Sequence, residues 1–187
     1  MASEDANRAR LRRAFDAHYE AVSRYCHRRL PPLDANDAAA QVFAVAWRKV
    51  DSMPNDEDAM LPWLYTVARY EVSSIRRSAQ RRRNLQLKLD GQAQHSEQGP
   101  EVVVIRNSQD TELLKAFSKL RPADQEILRL RAYEDLSLAE VAAVLGCSLE
   151  AAKKRSTRAL RRLRRVAGIK IGPNPTPRPS PAAEGGE

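Results

Sequence analysis

The sequence predicts an all-α protein: two small helical domains joined by a flexible linker, the second containing a helix-turn-helix. Three observations lead there. Apolar residues recur at three- and four-residue steps on both sides of residue 100, the period of a helix face. Aromatic residues make up 5% of the chain and charged ones 30%, so the core must come from Ala, Leu, Val and Ile, which suits small helical bundles. Composition then breaks at residues 91–110, GQAQHSEQGPEVVVIRNSQD, where Gly, Gln, Ser and Gly99-Pro100 give a linker with one apolar run. That run, Val102–Ile105, reads as a docking patch or a short strand.

In the first domain, residues 1–90, Leu11, Phe15, His18, Tyr19, Val22 and Cys26 define the apolar face of a helix ended by Pro31-Pro32. Asp34 or Asn36 can cap a second helix, in which Ala38, Ala39, Val42, Phe43, Ala46, Trp47 and Val50 keep helical spacing up to Met53-Pro54. An acidic loop, NDED, follows. Pro62 then reads as the first residue of a third helix, with Trp63, Leu64, Val67, Ala68 and Val72 on one stripe and Arg76-Arg77 and Arg81-Arg82-Arg83 at its far end.

In the second domain, residues 111–171, Leu113, Leu114, Phe117 and Leu120 form a short helix, and Pro122 starts another carrying Ile127, Leu128 and Leu130. Ser137-Leu138-Ala139-Glu140 fits a capping box that opens a third helix. Gly146 then allows a left-handed turn, and Ser148 can cap the helix that follows. The tail, residues 172–187, is nearly all Pro, Gly, Ala and polar residues; it cannot bury a core and is expected to be disordered.

Charge and glycine placement narrow the function. The chain carries 32 Lys and Arg against 24 Asp and Glu, a formal charge of +8. Residues 113–171 hold 14 basic and 6 acidic groups, residues 1–90 hold 16 and 12, and the segment between them is acidic. The 7 glycines fall mostly in the linker and tail, which leaves no Gly-rich phosphate cradle. Cys26 and Cys147 stand far apart without a metal-ligand pattern and read as packed thiols. His18, His27 and His95 have no nucleophile or metal partner at local spacing, so no enzymatic activity and no cofactor are expected. No stretch approaches the roughly 20 apolar residues that cross a bilayer, so a cytoplasmic protein without membrane insertion is expected.

The chemistry concentrates in SLEAAKKRSTRALRRLRR. A helix that enters the major groove needs small or polar residues near its start and cations along its flanks. Ser148, Glu150, Ala151, Lys153, Lys154, Arg155 and Arg158 lie on or beside one face of this helix, while Leu149, Ala152, Ala159, Leu160 and Leu163 can pack behind. Each cation that neutralises a phosphate releases counterions, so this face is expected to bind DNA with a strong salt dependence.

LSLAEVAAVLGCSLEAAKKRSTRALRRL, preceded by LRPADQEILRLRAYEDL, resembles the minus-35-recognising region 4 of bacterial RNA polymerase sigma factors of the extracytoplasmic-function type. DAAAQVFAVAWRKV resembles their region 2.2 helix, and MLPWLYTVARYEVSSIRRSAQRRR their regions 2.3 and 2.4. The resemblance covers nearly all of residues 10–168.

It implies that Asp37, Gln41, Ala44 and Arg48 lie on the clamp helices of the polymerase largest subunit. It also implies that Met60, Trp63, Arg69, Tyr70, Ser73, Arg76 and Arg77 hold minus-10 bases, and that the basic helix reads minus-35 DNA. The implied partners are core RNA polymerase, promoter DNA and an anti-sigma factor, with the free chain a monomer. Core packing is the competing role for Trp63, and a solvated helix end for the Arg76 to Arg83 cluster. Two other readings remain open at this point: a stand-alone dimeric helix-turn-helix repressor or activator on a palindromic site, and an adaptor whose basic faces meet an acidic protein.

Overall fold

The computed structural model describes residues 2–89 and 108–168, and among them every regular element is helical. Helix α1 spans Ala2–His27, with Glu4 and Asp5 in its first turn and Arg24 and His27 in its last, where each sign complements the helix dipole. Its inner face supplies Ala14, Val22, Tyr25 and Cys26 to the core.

Helix α2 spans Pro32–Arg48. It begins with proline at its first position, where the missing N–H has no partner to lose, so the expected caps Asp34 and Asn36 lie inside it. Asn36 instead meets His27, Oδ1 to Nε2 at 3.0 Å. Ala35, Ala38, Ala39, Val42, Phe43 and Ala46 are buried, and small residues on this face let α1 and α3 approach closely. Phe43 meets the ring of Phe15 edge-on at 4.9 Å, tying α2 to α1. A single 3-10 turn, Val50–Ser52, follows; the Arg10 guanidinium donates to the carbonyls of Val50 and Met53 and holds it against α1.

Helix α3 spans Glu57–Leu89 and corrects the expected start at Pro62. The Asp56 carboxylate accepts the N–H of Asp58 at 3.1 Å, and Glu57 and Asp58 occupy the electropositive first turn, so the acidic segment read as a loop initiates the helix. Pro62 is carried inside, one turn in, and Thr66 Oγ1 donates to its carbonyl at 3.0 Å.

In the second half, α4 spans Ser108–Ser118 and α5 Pro122–Ala132, with Leu120 buried in the turn between them. Helix α6, Leu138–Leu145, opens with both halves of the expected capping box: Ser137 Oγ accepts the Glu140 N–H at 3.2 Å and the Glu140 carboxylate accepts the Ser137 N–H at 2.7 Å. Gly146 adopts φ 64° and ψ 44°, the left-handed conformation that ends α6, and Ser148 Oγ accepts the Ala151 N–H at 3.2 Å to start α7, Leu149–Ala167.

Helices α1, α2 and α3 pack together, as do α4, α5, α6 and α7, and α6 also packs on α3, so the apolar core is continuous between the halves. The expected linker, 91–110, lies outside the described residues apart from its last three, which open α4. The Val102–Ile105 run and the tail from 172 lie outside them too.

Candidate nucleic-acid interface

Helix α7 follows α6 through the tight turn at Gly146, and its two faces differ sharply. Ala152 and Ala159 are fully buried, Leu160 and Leu163 half-buried, and Leu149 is more exposed than expected. The opposite face exposes Lys153, Lys154, Arg155 and Arg158, and Glu150 pairs with Lys153 at 2.8 Å. Ser148 is exposed with its hydroxyl committed to the cap, and Ala151 is half-buried. All seven residues read as a minus-35 surface therefore sit on the first turns of one helix or at its cap, and the cations form a continuous strip suited to a phosphate backbone.

The residues read as a minus-10 surface all lie on α3 but differ in exposure. Met60 is buried in the core and is not presented to a strand in this arrangement. Trp63 is half-buried against the same core, as its competing role required. Tyr70 and Arg77 are exposed, and Ser73 is half-buried. Arg69 points toward the second half, donating to the Val144 carbonyl of α6 at 3.4 Å, and the Arg76 guanidinium donates to the Arg29 carbonyl at 2.7 and 3.3 Å. Two of the cations on this face thus donate within the protein, although Arg76 remains exposed.

On α2, Asp37, Gln41, Ala44 and Arg48 are all exposed and fall at alternating four- and three-residue steps, one stripe along the helix. Leu33, 81% exposed, heads the same stripe and was not singled out from sequence.

Sequence reasoning also missed the most heavily buried charged residue among the described residues. Arg29, just beyond α1, is 1% exposed. Its Nε and Nη2 donate to the Glu126 carboxylate at 3.0 and 3.1 Å, and its Nη1 donates to Glu134 Oε1 and to the Tyr25 carbonyl at 3.0 and 2.9 Å. The guanidinium lies 3.5 Å from the Tyr25 ring centre, and the Tyr25 hydroxyl donates to Glu126 at 2.9 Å. Arg28 pairs with Glu134 as well. Burial opposes the charge on Arg29, yet Tyr25, Glu126 and Glu134 outweigh it and its pKa rises. Burial alone would raise Glu126, but the charge and hydrogen bonds of Arg29, with Tyr25 and Arg129, bring it below the usual 4.5. Burial pushes the neighbouring Cys26 thiol up to about 12, which keeps it protonated and inert.

A groove of about 820 Å³ runs between α4, α5 and α7, lined by Leu113, Leu114, Phe117, Leu128, Leu160 and Leu163. Among the described residues no three of His, Cys, Asp and Glu form a metal-binding group, and no helix is long and apolar enough to cross a membrane.

Residues 14–82 match the family described as Sigma-70 region 2, and residues 116–165 match Sigma-70, region 4. The ECF RNA polymerase sigma factor BldN of Streptomyces coelicolor is 30% identical over 155 residues, covering 82% of this chain; the chain spans 59% of that relative's length. The RNA polymerase sigma factor CnrH of Cupriavidus metallidurans is 28% identical over 141 residues, 72% of this chain and 73% of CnrH. Among solved structures, the sigma factor RpoE from Bartonella quintana, in complex with the anti-sigma factor NepR, superposes with a TM-score of 0.61 at 23% identity over 86% of this chain and 98% of that one, a likeness of fold.

Proposed function

Because the chain belongs to the extracytoplasmic-function type of sigma-70 family sigma factors, we propose that it is a transcription initiation factor. It binds core RNA polymerase through the α2 stripe, recognises minus-35 and minus-10 promoter elements, and promotes melting of the minus-10 region. The observation that carries this reading is α7: a capped helix delivered by a left-handed glycine turn, with Lys153, Lys154, Arg155 and Arg158 exposed along one face. Region 2 and region 4 in order on one chain support a two-part promoter and disfavour the stand-alone dimeric repressor, which needs a dimerisation or sensor domain where residues 14–82 match region 2.

Arg76, Arg77 and Tyr70 supply what a melted strand needs, cations for its backbone and a ring on which a base can stack. Domain limits of 1–90 and 111–171, a cytoplasmic location and the absence of catalytic activity belong to the same proposal. So does an anti-sigma partner, which the RpoE neighbour has in NepR.

The test mixes the full chain with core polymerase and a library of double-stranded promoters and sequences the DNA upstream of the transcripts. Enrichment of a two-box motif with fixed spacing is expected. A motif with one box, or none, rejects the assignment.

A further inference from the structure

Helix α7 carries an acid in the line of the DNA bases. With about 100° between successive residues, Glu150 lies about 180° from buried Ala159 and about 160° from buried Ala152, so it points away from the core, at the second position of the helix. Lys153 and Arg158 lie on either side of that direction, at about 60° and 80°. The residues at the start of such a helix meet base edges, and its flanks meet phosphates. Glu150 Oε1 accepts from Lys153 Nζ at 2.8 Å, and both side chains are exposed.

We propose that Glu150 and Lys153 together read one C·G base pair of the minus-35 element: the Glu150 carboxylate accepts from the cytosine N4 amino group while the Lys153 ammonium donates to guanine O6 and N7. The proposal deepens the minus-35 reading of α7 and rests on it.

Electrostatics leave a carboxylate at this place one favourable use. Facing a polyanion it is repelled unless it accepts a hydrogen bond from a base, and the major groove offers two donors, the amino groups of cytosine and adenine. The adenine amino group stands beside N7, an acceptor that opposes the second carboxylate oxygen, and cytosine has no such neighbour. Guanine, opposite that cytosine, turns two acceptors to Lys153, whereas thymine turns one and a methyl group. Ser148 commits its oxygen to the helix cap and Ala151 carries no polar group, so Glu150 is the one carboxylate among the seven residues of this surface.

The pair also matches the base pair in scale. Cytosine N4 and guanine O6 are hydrogen-bonded to each other at about 2.9 Å, and Glu150 and Lys153 present an acceptor and a donor 2.8 Å apart. An exposed ion pair contributes little in water, so turning it onto a base pair costs little.

The test uses holoenzyme made with the full chain and a duplex promoter library randomised across the upstream box. E150Q, E150A, K153A and E150A/K153A stand beside wild type, and circular dichroism follows helicity. Wild type is expected to prefer C·G at one position of that box by about five- to a hundredfold over the other pairs. E150Q should turn that position, and no other, to A·T, because a glutamine amide bonds adenine N6 and N7 together. E150A and K153A should each flatten the same position, and the double variant should flatten it by less than the product of the two, the non-additivity of groups that share one partner.

If Glu150 serves only the helix end, its variants change binding to every sequence by one factor and leave the preferences unmoved. That result overturns the proposal, as does an effect of Lys153 at a different position from that of Glu150. A wild-type library from which no upstream box emerges rejects the minus-35 reading itself, and the base-pair reading with it.

Discussion

Gly146 sits at the turn that aims α7, and substituting it isolates one physical term. Its φ of 64° and ψ of 44° are left-handed, and nothing lies within 4 Å of the position a Cβ would take. Gly146→Ala therefore meets no steric neighbour and carries only the backbone penalty, about 1–2 kcal/mol for an L-residue in this region. Replacing glycine also stiffens the unfolded chain, which returns about 0.4–1 kcal/mol. The net loss is about 1 kcal/mol, a fall in Tm of roughly 2–4 °C for a chain of this size. Gly146→Asn should lose less, because asparagine tolerates left-handed backbone, and Gly146→Val more, because its β-branch does not. Urea unfolding followed by circular dichroism at constant m-value measures the series. If alanine costs above about 3 kcal/mol, or asparagine costs as much as valine, the turn is held by something other than local backbone preference and the reasoning fails.

Two further outcomes follow from the charged surfaces. In K154A/R155A holoenzyme, the slope of log affinity against log salt on a minus-35 duplex should become shallower by about 1.8, from about 0.9 per lost phosphate contact; an unchanged slope removes those residues from the DNA interface. Acid should open the contact between the halves. Glu126 faces Arg29 and Tyr25 from the first half, with Arg76 on α3 and Arg129 on its own helix also acting on it, and it titrates below 4.5. A carboxylate lowered in the closed form contributes fully above 4.5 and loses that contribution as pH falls through its lowered pKa. Scattering against pH should show compact molecules down to about that value and expansion below it, with E126Q lacking this step; the same midpoint in E126Q would refute the assignment.

The elements that local chemistry defines were legible in the sequence. The Ser137 and Glu140 reciprocal cap, the Gly146 turn, the Ser148 cap and the Pro122 start all depend on partners within four residues, and each stands where the residue types place it. The start of α3 was misread for an instructive reason. Proline at a first helical position is a strong signal, but Pro62 lies one turn inside, and the weaker signal of Asp56 followed by two acids prevails.

The stripe of Asp37, Gln41, Ala44 and Arg48 follows from periodicity alone once α2 is a helix. Arg29 could not be read this way. Its partners stand 97 and 105 residues away, and Arg28-Arg29 after an apolar helix looks like an ordinary solvated end. The one local hint is Glu126 beside Ile127, an acid set directly against the apolar stripe of α5. The burial of Met60 and the bond of Arg69 to α6 likewise come from contacts that only the tertiary arrangement creates.

The contact between α3 and α6 constrains what can separate the two halves. A ligand shifts a conformational equilibrium only by its difference in affinity for the two states, and one that binds both equally shifts nothing. The α2 stripe is exposed in the closed form, so a partner that touches only this stripe has no preference for the open form. A ligand that grips the second half at a fixed, greater distance from α2 does have that preference. Under the promoter-binding reading, an isolated fragment carrying the polymerase clamp helices should bind the chain without expanding it, whereas whole core polymerase should separate the halves. Distance measurements between a spin label on α2 and one on α7 can follow both. Separation by the fragment alone would mean that α2 and the Arg29 network are coupled through α1, and that the stripe is itself the trigger.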